Sequence, residues 1–143
     1  MRPEEFEIFI ACVPGLEKEL LNEVQEYAFK NSKLILGGVQ IFGGWKDVWR
    51  ANVYLRGATK VLVRFASFRA THLAQLDTLS HKLNWENLLQ YKKSFRVETV
   101  CRKSKIYHSG AASQRISKAI SDKIDAKEDS DSDITIKTRI LSD

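Results

Sequence analysis

From Phe6 to Arg69 the hydrophobic period of this chain switches in the order strand, helix, strand, strand, helix, strand. Phe6–Val13 (FEIFIACV) is almost wholly apolar, rich in β-branched and aromatic residues, and predicts a strand buried on both faces. Pro14 ends that run and suits the start of a helix. Leu16, Leu20, Leu21 and Val24, then Tyr27 and Ala28, recur at helical spacing. Glu17, Lys18, Glu19, Glu23 and Glu26 fall on the opposite side, as a solvated face. Lys33–Leu36 and Val39–Phe42 are short extended runs broken by Gly37-Gly38, a hairpin signal. Val48, Trp49, Ala51, Val53 and Leu55 predict a helix from Trp45 to about Gly57, and Lys60–Arg69 (KVLVRFASFR) predicts a strand.

That order leaves few solutions. Two split βαβ units on one antiparallel sheet give the ferredoxin-like βαββαβ layout, an α+β fold. Many RNA-binding modules share it, and an RNA recognition motif would show a run of glycines and aromatics on its third strand. The corresponding run, GGVQIFGG, has one aromatic and no such pattern. Phe42, Phe65 and Phe68 are therefore read as core.

After Arg69 the pattern changes. Leu73, Leu76, Leu79 and Leu83 mark a helix, and Trp85, Leu88 and Leu89 mark a short second one that Asn84 could cap. His72 and His81 fall near the ends of the first piece and read as surface histidines. In Phe95–Lys103 the alternation places Phe95, Val97, Thr99 and Cys101 on one face and Arg96, Glu98 and Arg102 on the other. Ser109 is the expected cap of the next helix, with Ala112, Ile116, Ala119, Ile120 and Ile124 as its buried stripe. Asp125–Asp133 carries five acids and one lysine. It lacks the glycine and closing glutamate of a calcium loop, so it reads as solvated. Ile134–Leu141 is the last expected strand.

Charge is concentrated in one place. Lys92 to Lys123 holds nine Lys/Arg against two acids, Glu98 and Asp122, a local excess larger than the net +5 of the whole chain. A strand feeding a basic turn and then a helix start suits an anion, because free N–H groups and the helix dipole both favour negative charge. The candidate RNA-binding residues are Arg102, Lys103 and Lys105 in the turn, Ser109 and Gly110 at the helix start, and Arg115 and Lys118. The last two are three apart, hence neighbours on one face. Tyr107 and His108 could stack on a base or pack across the turn. Lys123 lies close to the buried stripe and could snorkel from it.

The 143 residues are 43% hydrophobic and 29% charged, enough apolar content for a real core in one domain or two small lobes. No apolar run approaches the roughly 20 residues of a membrane span, and MRPEEFEI is too polar for a signal peptide. The expected setting is cytoplasmic, and the expected state of the chain is monomeric. Cys12 and Cys101 lie in predicted strands and read as buried reduced thiols, with no partner at metal-ligand spacing. No Ser/His/Asp or Cys/His constellation is suggested by spacing, so no catalytic residue is nominated.

The segments ACVPGLEKELLNEV and GGVQIFGGWKDVWRANVYLRGATKVLVRFASF resemble the N-terminal ferredoxin-like domain that precedes a THUMP domain. The stretch from about Ala70 through FRVETVCRKSKIYHSGAASQRISKAISDKI resembles the THUMP domain itself. The likeness is to the N-terminal part of large-subunit ribosomal RNA guanine-N2 methyltransferases, and of related transfer RNA enzymes. It implies a ferredoxin-like domain over residues 1–70 and a THUMP domain over 71–143, incomplete at its C-terminus. It also implies RNA, ribosomal before transfer, as partner. S-adenosylmethionine would be the cofactor of a longer protein, and none is expected in this chain. Nothing in the chain matches a methyltransferase domain, so the expectation is an RNA-binding fragment without catalysis of its own. The alternatives are a part of a tRNA-modifying methyltransferase or thiouridine synthase, and an orienting module without RNA contact.

Overall fold

The computed structural model describes residues 5–89 and 94–141. The chain divides into two compact units, Met1–Phe65 and Ala66–Asp143.

The first unit runs β1 (Phe6–Ala11), α1 (Glu17–Glu26), β2 (Lys33–Ile35), β3 (Gly38–Gly43), α2 (Trp45–Tyr54) and β4 (Lys60–Val63). Its sheet has the order β2-β3-β1-β4 with antiparallel neighbours throughout, which is the ferredoxin-like arrangement. Ile8 and Ile10 of β1 oppose Ile41 and Val39 of β3, and Val63 and Val61 of β4. Leu20 and Val24 of α1 and Val48 and Ala51 of α2 close over them, with Phe29 and Leu55 completing the core. The hairpin needs both its glycines. Gly37 has φ +88, and a Cβ on Gly38 would stand 2.0 Å from the Ile10 carbonyl oxygen, where β3 lies against β1. Asp47 holds the start of α2 by accepting the Gly44 N–H at 3.0 Å.

Four expectations change. The first strand is not buried on both faces: Phe9 and Ala11 are half-buried, because α1 and α2 cover the face bearing Ile8 and Ile10. The period of two then sends Phe42, opposite Glu7, to the other face, where it is 41% exposed rather than core. β4 stops at Val63 instead of Arg69: its ladder with β1 ends at the Ile8–Val63 pair, past which the Arg64 N–H reaches the Glu7 carbonyl. Past it Phe65 is half-buried and Phe68 is 40% exposed. Glu23 is more than solvated surface, since its carboxylate accepts the Arg56 and Gly57 N–H groups at 2.9 and 3.0 Å.

The second unit runs α3 (Leu73–His81), α4 (Trp85–Leu89), β5 (Ser94–Arg102), α5 (Ser109–Lys123), β6 (Lys127–Glu128) and β7 (Thr135–Leu141). Strand β5 is central, in the order β6-β5-β7, and both neighbours run parallel to it. Helix α5 packs on β5 through Ala112, Ile116, Ala119 and Ile120, all buried, and α3 lies along α5. Ile124, expected on that stripe, is the half-buried C-cap. Phe95 is fully buried. Trp85 donates its indole N–H to the Ser80 carbonyl at 2.9 Å, which anchors α4 against the end of α3. Within Asp125–Asp133 the structure inserts β6, and the buried Ser132 accepts a hydrogen bond from Ser94 at 3.0 Å. Lys92 and Lys93, counted in the basic stretch, lie outside the described residues.

Candidate nucleic-acid interface

Strand β5 delivers the chain to a turn whose backbone is fixed from inside. Ile106, 3% exposed, packs with Leu76 and Ala112 and pulls the turn onto α3 and α5. The Ser104 hydroxyl donates to the Ile106 carbonyl, and Lys103 takes the left-handed φ of 49 that reverses the chain. With the one apolar residue inward, the charged side chains have nowhere to go but out. Arg102, Lys103, Lys105, Ser109, Gly110, Arg115 and Lys118 are all exposed.

The helix start differs from expectation. Ser109 is the first helical residue, and His108 is the cap: its Nδ1 accepts the Ala111 N–H at 2.9 Å. The ring is extended from a β-region backbone (φ −92, ψ 93), which gives it the reach that a serine hydroxyl would have one residue later. With Nδ1 accepting, the ring proton sits on Nε2 and is free to donate. Tyr107, immediately before it, is 83% exposed, so of its two readings it is not packed across the turn. His72 caps α3 in the same way, accepting the Gln75 N–H at 3.2 Å.

The cations are not equivalent. Arg102, Lys103, Lys105 and Lys118 have no ion-pair partner among the described residues, whereas Arg115 lies 3.8 Å from Asp77 of α3. Lys123 does not snorkel into the stripe; it donates to the Leu83 carbonyl at 3.1 Å. Lone lysines around a helix start form a positive surface with no internal neutralisation, which is the condition for attracting a polyanion.

One cluster escaped sequence reasoning. His81, taken for a surface residue, places Nδ1 2.7 Å from the Asp77 carbonyl and Nε2 3.0 Å from the Asp122 carboxylate on α5. Both oxygens can only accept. The hydrogen bond with Asp122 raises the His81 pKa above its ordinary value, the Asp77 carbonyl adds to this, and burial opposes it. The Asp77–His81 spacing of four was the available signal; Asp122 is forty-one residues away from His81 and gave none. Burial also pushes both thiols, Cys12 and the half-buried Cys101, upwards, which leaves them protonated and inert. Among the described residues no group of three or more His, Cys, Asp or Glu could hold a metal ion. No helix of the described residues is long and apolar enough to cross a membrane.

Comparison with known proteins bears on the fold and on the family resemblance. Residues 7–62 match the family model described as the RlmL ferredoxin-like domain. A curated relative, the ribosomal RNA large subunit methyltransferase K/L of Pseudomonas paraeruginosa, is 26% identical over 119 residues. The match covers 83% of this chain and 16% of the relative. The chain thus spans about a sixth of the length of such relatives. Among solved structures, a "predicted N6-adenine-specific DNA methylase" from Listeria monocytogenes superposes with a TM-score of 0.81 at 24% identity. It covers 97% of this chain and 38% of that one. A further chain solved in complex with SAH superposes with a TM-score of 0.80 at 21% identity, covering 99% and 39%. The structural likenesses show a shared fold over both units. The resemblance to the N-terminal part of the large-subunit ribosomal RNA methyltransferases holds.

Proposed function

We propose that this chain is the RNA-holding part of an S-adenosylmethionine-dependent ribosomal RNA guanine-N2 methyltransferase that acts in the cytoplasm. In this reading residues 71–143 belong to a THUMP domain. The observation that carries it is the group of unpaired cations, Arg102, Lys103, Lys105 and Lys118, set around the first turns of α5 with no described acid paired to them. Phosphates would lie against Ser109, Gly110 and this rim. Arg115 would join them by leaving Asp77. The exposed ring of Tyr107 offers a face for an unpaired base, the form in which RNA sequence is usually read.

The cofactor belongs to another domain. Among the described residues the strand-to-helix turn that ends a parallel strand lies between β5 and α5; it carries Lys103 and Lys105, follows Arg102 at the strand's end, and has no acid. A positively charged sulfonium does not fit there. This chain's contribution is therefore to bind and orient RNA, and no chemical step is assigned to its residues.

The reading is tested by titrating RNA bearing a single-stranded end against salt. A log–log fall in affinity is expected, with each phosphate contact on a single strand adding about 0.7 to the slope. Arg115→Glu with Lys118→Glu removes two contacts and should flatten the slope by about 1.4, besides weakening binding. Unchanged affinity and slope in a double variant with wild-type circular dichroism would refute the assignment.

A further inference from the structure

The outward side of α2 is unusual for a helix of a small α+β unit. Val48, Ala51 and Leu55 face the core, while Trp45, Trp49 and Val53, spaced by four, form a line that is 48%, 62% and 74% exposed. Two indoles exposed on one helix are not needed for packing, and exposed tryptophans concentrate where proteins bind something. Trp45 is held in place by an edge-to-face contact with Phe6, at 5.1 Å between centroids. Trp49 has no described ring partner.

The surrounding charge indicates what that partner is. From Trp45 to Lys60 the chain has four cations, Lys46, Arg50, Arg56 and Lys60, and one acid, Asp47. That acid is already engaged by the Gly44 N–H and by Arg50 at 3.2 Å, so it offers no free charge to a basic partner. Lys46, Arg56 and Lys60 are exposed and have no ion pair among the described residues. Arg50 is committed inward, over the Phe29 ring and to the Tyr27 carbonyl. An apolar line on a stretch of chain that carries three exposed, unpaired cations suits a polyanion with flat faces more than a basic protein surface.

The spacing narrows it further. Trp45 and Trp49 are four residues apart, about 6 Å along the axis at the helical rise. A continuously stacked strand advances about 3.4 Å per nucleotide. The indoles therefore match bases splayed apart, as in unpaired RNA, and not a stacked duplex.

We propose that the Trp45–Trp49–Val53 face of α2 is a second RNA-contact surface, on which an unpaired segment lays bases against the two indoles while its phosphates meet Lys46. The proposal extends the RNA-binding reading to the first unit and rests on that reading for the identity of the ligand. It does not rest on the α5 residues.

The test uses the full chain and two probes, a short single-stranded oligouridylate and a duplex of equal length. Indole N–H resonances are followed by NMR and assigned through Trp45→Phe and Trp49→Phe. With the single strand, the Trp45 and Trp49 resonances should move and that of the buried Trp85 should not. Trp49→Ala should weaken single-strand binding about tenfold, the scale of one lost base stack, with little change for the duplex. Oligouridylate binding with unmoved Trp45 and Trp49 signals and no effect of Trp49→Ala would overturn the proposal and leave the α5 site standing. If Trp49→Ala weakens binding while Arg115→Glu with Lys118→Glu does not, this surface stands and the α5 assignment falls. Resonances that move with protein concentration alone would assign the face to a protein contact and overturn it as well.

Discussion

Replacing His81 by glutamine should remove a pH-dependent part of the stability of the α3–α5 pair. The ring bridges the Asp77 carbonyl at 2.7 Å and the Asp122 carboxylate at 3.0 Å, so only the doubly protonated form donates to both. The Asp77 carboxylate also comes within 3.5 Å of the ring, and Arg115 shares it at 3.8 Å. The folded-state pKa is raised, chiefly by Asp122. The stabilisation is therefore fully present below the unfolded pKa of about 6.5 and is lost as pH rises through the higher folded value. Asp122 is half exposed, so solvent screening holds the contribution to about 1 kcal/mol. For a chain of this size that corresponds to about 3 °C in Tm. Thermal melts of the wild type and His81→Gln, from about pH 5.5 to about pH 8.5, should differ at the acid end and converge at the alkaline end. A constant difference across that range, or one that grows with pH, would refute the argument.

Phe95→Ala should cost about 3–5 kcal/mol, because the ring is fully buried on the central strand of the second unit, and urea unfolding would measure it. Gly38→Ala should leave the first unit unfolded or insoluble, since the added methyl meets backbone at 2.0 Å and no side-chain rotation relieves it. The amide spectrum of the first unit reports this directly.

The sequence carried the first unit well because its signals are local. Period changes, the paired glycines of the hairpin and Pro14 each act within a few residues, and the sheet order followed from them. What it misjudged there, the faces of Phe42 and Phe9 and the end of β4, depends on which face the helices cover and on where the ladder between β1 and β4 ends. Both are set by pairing across tens of residues. In the second unit the basic turn was visible as composition, and its exposure follows from burying Ile106. The cap on His108 was missed because serine is the commoner cap and the choice turned on one backbone dihedral pair. The partners of His81 and Arg115 were hidden for the same long-range reason: Asp122 and Asp77 meet them only when α3 lies along α5.

The buried Ile106 also bears on how fast and how firmly a ligand could be taken up. A mobile loop of lysines would have to surrender backbone freedom on binding, about 1–2 kcal/mol for each residue ordered. In this chain that ordering is completed during folding, when Ile106 docks beside Leu76 and Ala112. Only the flexible lysine side chains then remain to be immobilised. Association would resemble rigid docking, with encounter rates set by long-range attraction rather than by rearrangement of the turn. A polar residue at position 106 would leave the charge of the protein unchanged and still slow capture, by turning a preformed cradle into a tether.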